Sequence, residues 1–190
     1  MFHHQLEHGL ELRILEERHA EELYLLTEAN RAYLRQWLSW PDDILSVPDS
    51  RLFIRDGLRQ FADNNGFQAG IWRDDELIGC IGFHRINWLD RNTEIGYWLS
   101  QSHTGHGIVT KSCSAMLDYA FNVWRLHRVV IRCAVGNVKS RAIPQRLGFT
   151  QEGILRQEIY VNHTYLDHVI YSILSDEWWD FREKSAKSSR

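Results

Sequence analysis

The residues best suited to chemistry lie where a strand over 94–99 gives way to a turn over 100–106 and then to a helix that opens at Gly107. A strand, a turn and a helix start in that order present unpaired backbone N–H groups and the positive end of a helix dipole, which suits an anion such as phosphate. Gly105 and Gly107 remove side chains where the backbone must approach a ligand closely or adopt a positive φ. A plain tight turn would use the same glycines. A second candidate lies downstream, where a strand over 128–135 runs into Gly136-Asn137-Val-Lys-Ser140, a helix-capping sequence. Gly105 with Thr110-Lys111-Ser112 differs from a P-loop at one position, but that position is Thr110, where the loop needs glycine and a β-branched residue resists positive φ. The helical stripe already starts at Val109, ahead of the lysine, so nucleotide hydrolysis is set aside.

These segments need a frame, and 190 residues suffice for one domain with a real core. With 22 Lys+Arg against 25 Asp+Glu, the formal charge of -3 supplies no field to hold nucleic acid or an anionic membrane. The three cysteines, Cys80, Cys113 and Cys133, are far apart in apolar runs, which predicts buried reduced thiols rather than disulfides or zinc. His3, His4 and His8 precede the first periodic element and read as a fraying terminus, not a metal cluster. No apolar run approaches the ~20 residues of a membrane span, and the polar residues 1–9 are unlike a secretory signal, so a cytoplasmic location is expected.

Alternation at Leu10, Leu12 and Ile14 predicts the first strand. Helical spacing over 17–38, interrupted near Asn30, predicts two helices or one bent one, and Pro41 ends them. Asp49 or Ser50 can cap a helix carrying Ile54, Leu58 and Phe61 that stops over 64–66. Runs over 67–72, 77–86 and 93–99 form an antiparallel meander. The stripe Val109, Cys113, Met116, Leu117, Ala120, Phe121 and Trp124 marks an amphipathic helix. A strand over 128–135, a short helix over 140–147 and a closing pair over 153–160 and 165–174 complete the order βαα(α)βββαβαββ. The expected organisation is a single domain over 1–182 with a polar, disordered tail over 183–190.

The ordered motifs resemble the GNAT superfamily of acetyl-CoA-dependent N-acetyltransferases, most closely the RimJ/RimL-type ribosomal-protein N-terminal acetyltransferases. They are Asn30-Arg-Ala-Tyr33-Leu-Arg-Gln-Trp37-Leu-Ser-Trp40-Pro41, Glu94-Ile-Gly-Tyr-Trp-Leu99, Gly105-His-Gly-Ile108, Asn137-x-x-Ser140, Leu147-Gly-Phe149, and Tyr165-x-Asp167 with Tyr171-Ser-Ile-Leu174. The resemblance implies an α/β (α+β) fold with a mixed, mostly antiparallel central sheet, splayed middle strands and flanking helices. It implies that pantetheine enters between the strands over 93–99 and 128–135, pairing with the backbone of Trp98 and Leu99. Gly105, His106, Gly107, Ile108, Val109 and Thr110 would then hold the pyrophosphate, and Asn137 with Ser140 would complete the acetyl-CoA site; no metal is implied. The family often has Arg or Gln where Ser102 stands, so backbone N–H groups must carry the phosphate, with Lys111 or His106 adding charge.

Amide formation from a thioester needs a neutral amine, a polarised carbonyl and a leaving thiolate. An N-terminal α-amine is roughly a fifth neutral near pH 7.3, a lysine only about one part in a thousand, so an α-amine asks little of a base. Many relatives offer a tyrosine to the leaving sulfur, but Pro144 holds that position here, which leaves Ser140 as hydrogen-bond donor or relay, or as an ordinary helix-cap serine. Glu94 is the implied base acting through water, or an exposed strand-end carboxylate; Glu158 is a weaker candidate because strand parity could turn it outward. Tyr165 and Asp167 suit structure or substrate fit. Trp98, Phe121, Trp124 and Phe149 fall at core-periodic positions, while the resemblance implies that Tyr33, Trp37 and Trp40 flank the acceptor. The implied function is transfer of acetyl to a primary amine, most of all the N-terminal α-amine of a ribosomal protein, and related proteins suggest a homodimer. The alternatives are acetylation of a small amine (antibiotic, polyamine or amino acid) or a non-catalytic CoA-binding module.

Overall fold

The computed structural model describes residues 3–188. β1 (His3–Glu7) pairs antiparallel with β2 (Leu10–Ile14), with His3 opposite Arg13 and His4 opposite Leu12, which corrects the fraying terminus expected there. An edge strand exposed over its first three residues carries no apolar alternation to reveal it; residues 1 and 2 lie outside the described residues. α1 (Ala20–Leu34) is one helix, not two. Asn30 stays within it by donating Nδ2 to Leu26 O at 2.9 Å, while its Oδ1 accepts the Gln101 N–H at 2.9 Å. α2 (Val47–Ala62) starts earlier than expected, after Ser46, and Asp49 holds that start by accepting from Leu45 N and Ser46 Oγ.

β3 (Gln68–Arg73), β4 (Glu76–Phe83) and β5 (Asn92–Leu99) form the expected meander, followed by α3 (Ile108–Asn122), β6 (Arg128–Ala134) and α4 (Val138–Arg146). β7 (Thr150–Val161) and β8 (Thr164–Leu174) are the closing hairpin. The tail expected from residue 183 is helical as far as it is described: α5 (Ser175–Ser188) docks through Trp178, fully buried, stacked on Phe181 and donating Nε1 to Asp118 at 2.9 Å. Residues 189 and 190 lie outside the described residues.

The eight strands form one mostly antiparallel sheet in the order β1-β2-β3-β4-β5-β6-β8-β7, with two buried clusters on its opposite faces. Neighbouring residues of β3 point to opposite sides, so Ile71 joins Met116 and Leu117 of α3 in one cluster while Trp72 joins Leu23 of α1 and Ile54 of α2 in the other. The parallel junction of β5 with β6 is short: Asn92, Thr93 and Glu94 face Arg128, Val129 and Val130, and pairing stops there. β5 continues against β4 to Leu99, and β6 against β8 to Ala134. The middle strands therefore splay beyond Glu94, leaving one side of residues 95–99 without a ladder partner.

Candidate active site

A cavity of about 1400 Å³ occupies this opening. Its floor holds Glu94, Tyr97 and Trp98 of β5 with Arg132 and Cys133 of β6, and one wall is the turn before α3. Gly105 has φ +89° and Gly107, which caps α3, has φ +73°. A Cβ at either would meet nothing within 4 Å, so glycine is needed for the backbone angle and the surface over the turn is open. Gly105, Gly107, Ile108, Val109 and Thr110 all line the cavity, and the N–H groups of the first turn of α3 have no intrahelical acceptor. His106 does not: its exposed ring turns back to His103 O at 3.3 Å. Lys111 is engaged as well, paired with Glu7, whose carboxyl it holds below its ordinary pKa. Ser102 lies outside the wall and contacts His103 Nδ1 at 3.2 Å.

The opposite wall begins at Asn137, whose side chain caps α4 by accepting the Ser140 N–H at 3.1 Å. The capping side chain is thus Asn137, and the Ser140 hydroxyl is left to the cavity floor. It lies 3.2 Å from Cys133 Sγ and donates to Tyr97 Oη at 3.4 Å. Tyr97 in turn donates to the Ser140 carbonyl at 3.1 Å. That carbonyl is free because residue 144, which would normally bond to it from one turn on, is Pro144 and has no N–H. Burial pushes the Tyr97 phenol well up and the Cys133 thiol up, so both stay protonated at neutral pH and serve as hydrogen-bonding groups.

Across the cavity, Arg132 joins two carboxylates, with Nε 3.4 Å from Glu94 and Nη1 3.1 Å from Glu158. His168 Nδ1 meets the other Glu158 oxygen at 3.2 Å, and all four side chains line the cavity. Glu158 therefore faces inward despite the parity concern. A bulge between Leu155 and Ile159, with Gln157 at φ +52°, interrupts the alternation, and Asp167 pins it by accepting the Gln157 N–H at 2.8 Å. Tyr165 meets Tyr160 in a tilted ring contact at 4.9 Å between centroids, exposed and away from the cavity. Tyr33, Trp37 and Trp40 line the cavity, and Trp98 is not wholly core: it also lines the cavity, 5.7 Å from the Trp40 ring.

The open β5 edge, the amide-rich turn and the Ser140 floor form one continuous surface, suited to an elongated thioester with an anionic end. A family model for the acetyltransferase (GNAT) domain matches residues 9–150. The chain belongs to the GNAT acetyltransferase family. This GNAT chain is 41% identical over 179 residues to the "Putative ribosomal N-acetyltransferase YdaF" of Bacillus subtilis (strain 168), covering 94% of the chain and 98% of that protein. It is 36% identical to the ribosomal-protein-serine acetyltransferase of Escherichia coli (strain K12), covering 88% and 94%. Among solved structures, RimL, a ribosomal alpha-N-protein acetyltransferase in complex with coenzyme A through a disulfide to a cysteine, superposes with a TM-score of 0.88 at 32% identity, covering 93% and 99%. The GNAT enzyme is thus an acetyl-CoA-dependent N-acetyltransferase with the expected splayed sheet. Among the described residues, no group of three or more His, Cys, Asp or Glu is placed to hold a metal. Among the described residues, no helix is long and apolar enough to cross a membrane.

Sequence reasoning gave no role to Tyr97, Arg132 or His168, and treated Cys133 only as a buried thiol. Their signal is weak because alternation shows that residues share a strand face, not that the strands part beneath it.

Proposed function

We propose that this GNAT enzyme acetylates the N-terminal α-amine of a ribosomal protein. The observation that carries the proposal is the continuity of the cavity from the turn at Gly105, past Ser140, to the Glu94 and Glu158 carboxylates. Acetyl-CoA lies with its pyrophosphate on the N–H groups around Gly105 to Thr110 and its pantetheine along the unpaired edge at Trp98 and Leu99. The amine nitrogen attacks the thioester carbonyl, the C–N bond forms, and the C–S bond breaks as the intermediate collapses. The nitrogen gives its proton to Glu94 or Glu158 through water. The departing thiolate takes a hydrogen bond from the Ser140 hydroxyl and finally a proton, so the products are an acetamide and free CoA thiol. A serine hydroxyl is too weak an acid to protonate a thiolate of pKa ~8.5 outright, so Ser140 acts as donor, not as acid. The coenzyme A disulfide of the RimL structure supports this placement, since it brings that protein's CoA sulfur to a cysteine, and Cys133 adjoins Ser140 here.

Purified protein incubated with acetyl-CoA and synthetic peptides matching ribosomal-protein N-termini will release thiol and yield peptides acetylated at the α-amine. Acetylation of polyamines or amino-bearing antibiotics with no peptide modified would replace this acceptor assignment by a small amine. Turnover unchanged in a Ser140→Ala, Glu94→Gln double variant would remove both residues from the mechanism.

A further inference from the structure

Coenzyme A carries a diphosphate and a ribose 3′-phosphate, whereas the amides around Gly105 supply dipoles but no full positive charge. The cations expected near the turn are not available: Lys111 is paired with Glu7, and His106 faces away from the cavity. Three lysine or arginine side chains line the cavity, Arg132, Lys139 and Arg146, and Arg132 is held between Glu94 and Glu158. Lys139, Ala142, Ile143 and Arg146 follow helical spacing along the face of α4 that lines the cavity. Lys139 and Arg146 are thus about 10 Å apart along the axis. Lys139 adjoins Ser140, where the sulfur belongs. Arg146 stands at the other end, its Nη2 3.4 Å from Thr110 Oγ1 in the first turn of α3. Among the described residues, no carboxylate lies within ion-pair distance of Arg146.

An uncommitted guanidinium in the cavity wall, beside a hydroxyl of the phosphate turn, fits an anion placed between α3 and α4. We infer that Arg146 supplies the positive charge that holds the coenzyme A diphosphate, taking the place of the side chain that Ser102 does not provide. The inference rests on the acetyl-CoA placement proposed above. A planar guanidinium matches phosphate oxygens in a way an ammonium does not, and charge-assisted bonds of this kind are the stronger ones. An arginine in a last helical turn also suits the negative dipole end, so the test must separate ligand binding from helix stability.

Isothermal titration of the full chain with coenzyme A needs no acceptor. Arg146→Gln is expected to weaken coenzyme A about tenfold, Arg146→Lys to recover part of that loss, and Lys111→Gln to bind as wild type. The penalty of Arg146→Gln should persist with 3′-dephospho-coenzyme A. If the penalty disappears with that ligand, Arg146 serves the 3′-phosphate and the diphosphate assignment is wrong. Unchanged affinity with a lowered melting temperature would make Arg146 a helix-terminal cation only. Failure of wild type to bind coenzyme A at all would overturn the placement of acetyl-CoA, and the inference with it.

Discussion

Ser140 matters for where its hydroxyl stands, held by Tyr97 and Cys133 while Asn137 performs the capping. A donor that meets charge only as the thiolate develops acts on the transition state more than on the bound substrate. Ser140→Ala is expected to lower kcat about a hundredfold with the KM for acetyl-CoA nearly unchanged, measured by steady-state thiol release. Pro144 extends the same logic. Replacing it by alanine restores the helix N–H toward the Ser140 carbonyl, which competes with the Tyr97 hydroxyl for that oxygen. Pro144→Ala should therefore raise the melting temperature, since proline costs ~3 kcal/mol in a helix interior, while kcat falls. A rise in both would show that Tyr97 does not position the serine. Asn137, Ser140 and the glycines were legible because their signals are local: a capping sequence and a turn composition. Glu158 and Arg132 were less so, because a bulge in one strand and the parting of two others determine which way they face.

At the scale of elements, the turn before α3 depends on a left-handed glycine at its cap. Gly107→Ala forces a Cβ into φ +73°, costing about 1–2 kcal/mol of stability. The open space around that position predicts a further effect, a weaker coenzyme A complex, because the new methyl group projects from the surface on which we propose that the ligand lies. Titration beside thermal melting separates the two. The long amphipathic helices and the meander were readable from apolar spacing, which survives wherever one face is buried. β1 was not, since its exposure removes the pattern, and α5 was missed because its attachment relies on Trp178 amid charged residues. Trp178→Ala should cost about 3–5 kcal/mol by chemical denaturation, because it empties a fully buried site.

At the scale of the whole molecule, Arg128, Glu152 and Ser172 tie β6, β7 and β8 together. Arg128 Nη1 donates to Glu152 at 2.6 Å and Ser172 Oγ donates to it at 2.8 Å. The Arg128 guanidinium lowers the Glu152 carboxyl to about 2. A pKa depressed in the folded state contributes stability that is whole above the ordinary glutamate value of about 4.3 and is lost as pH falls toward 2. Arg128→Gln should flatten that acid limb in denaturation curves taken between pH 5 and pH 2, and an unchanged limb would mean that solvent screens the pair. Among the described residues, the ladder between β5 and β6 has only three residue pairs, flanked by Arg91 O, which accepts from the N–H groups of His127 and Arg128, so β1–β5 and β6–β8–β7 are joined by backbone bonds over one short stretch. The sheet is in effect two rafts moored by one short rope, and whatever slides between them becomes their second mooring. Deuterium uptake at residues 95–99 should accordingly slow when coenzyme A arrives, while the moored amides at 92–94 keep their pace.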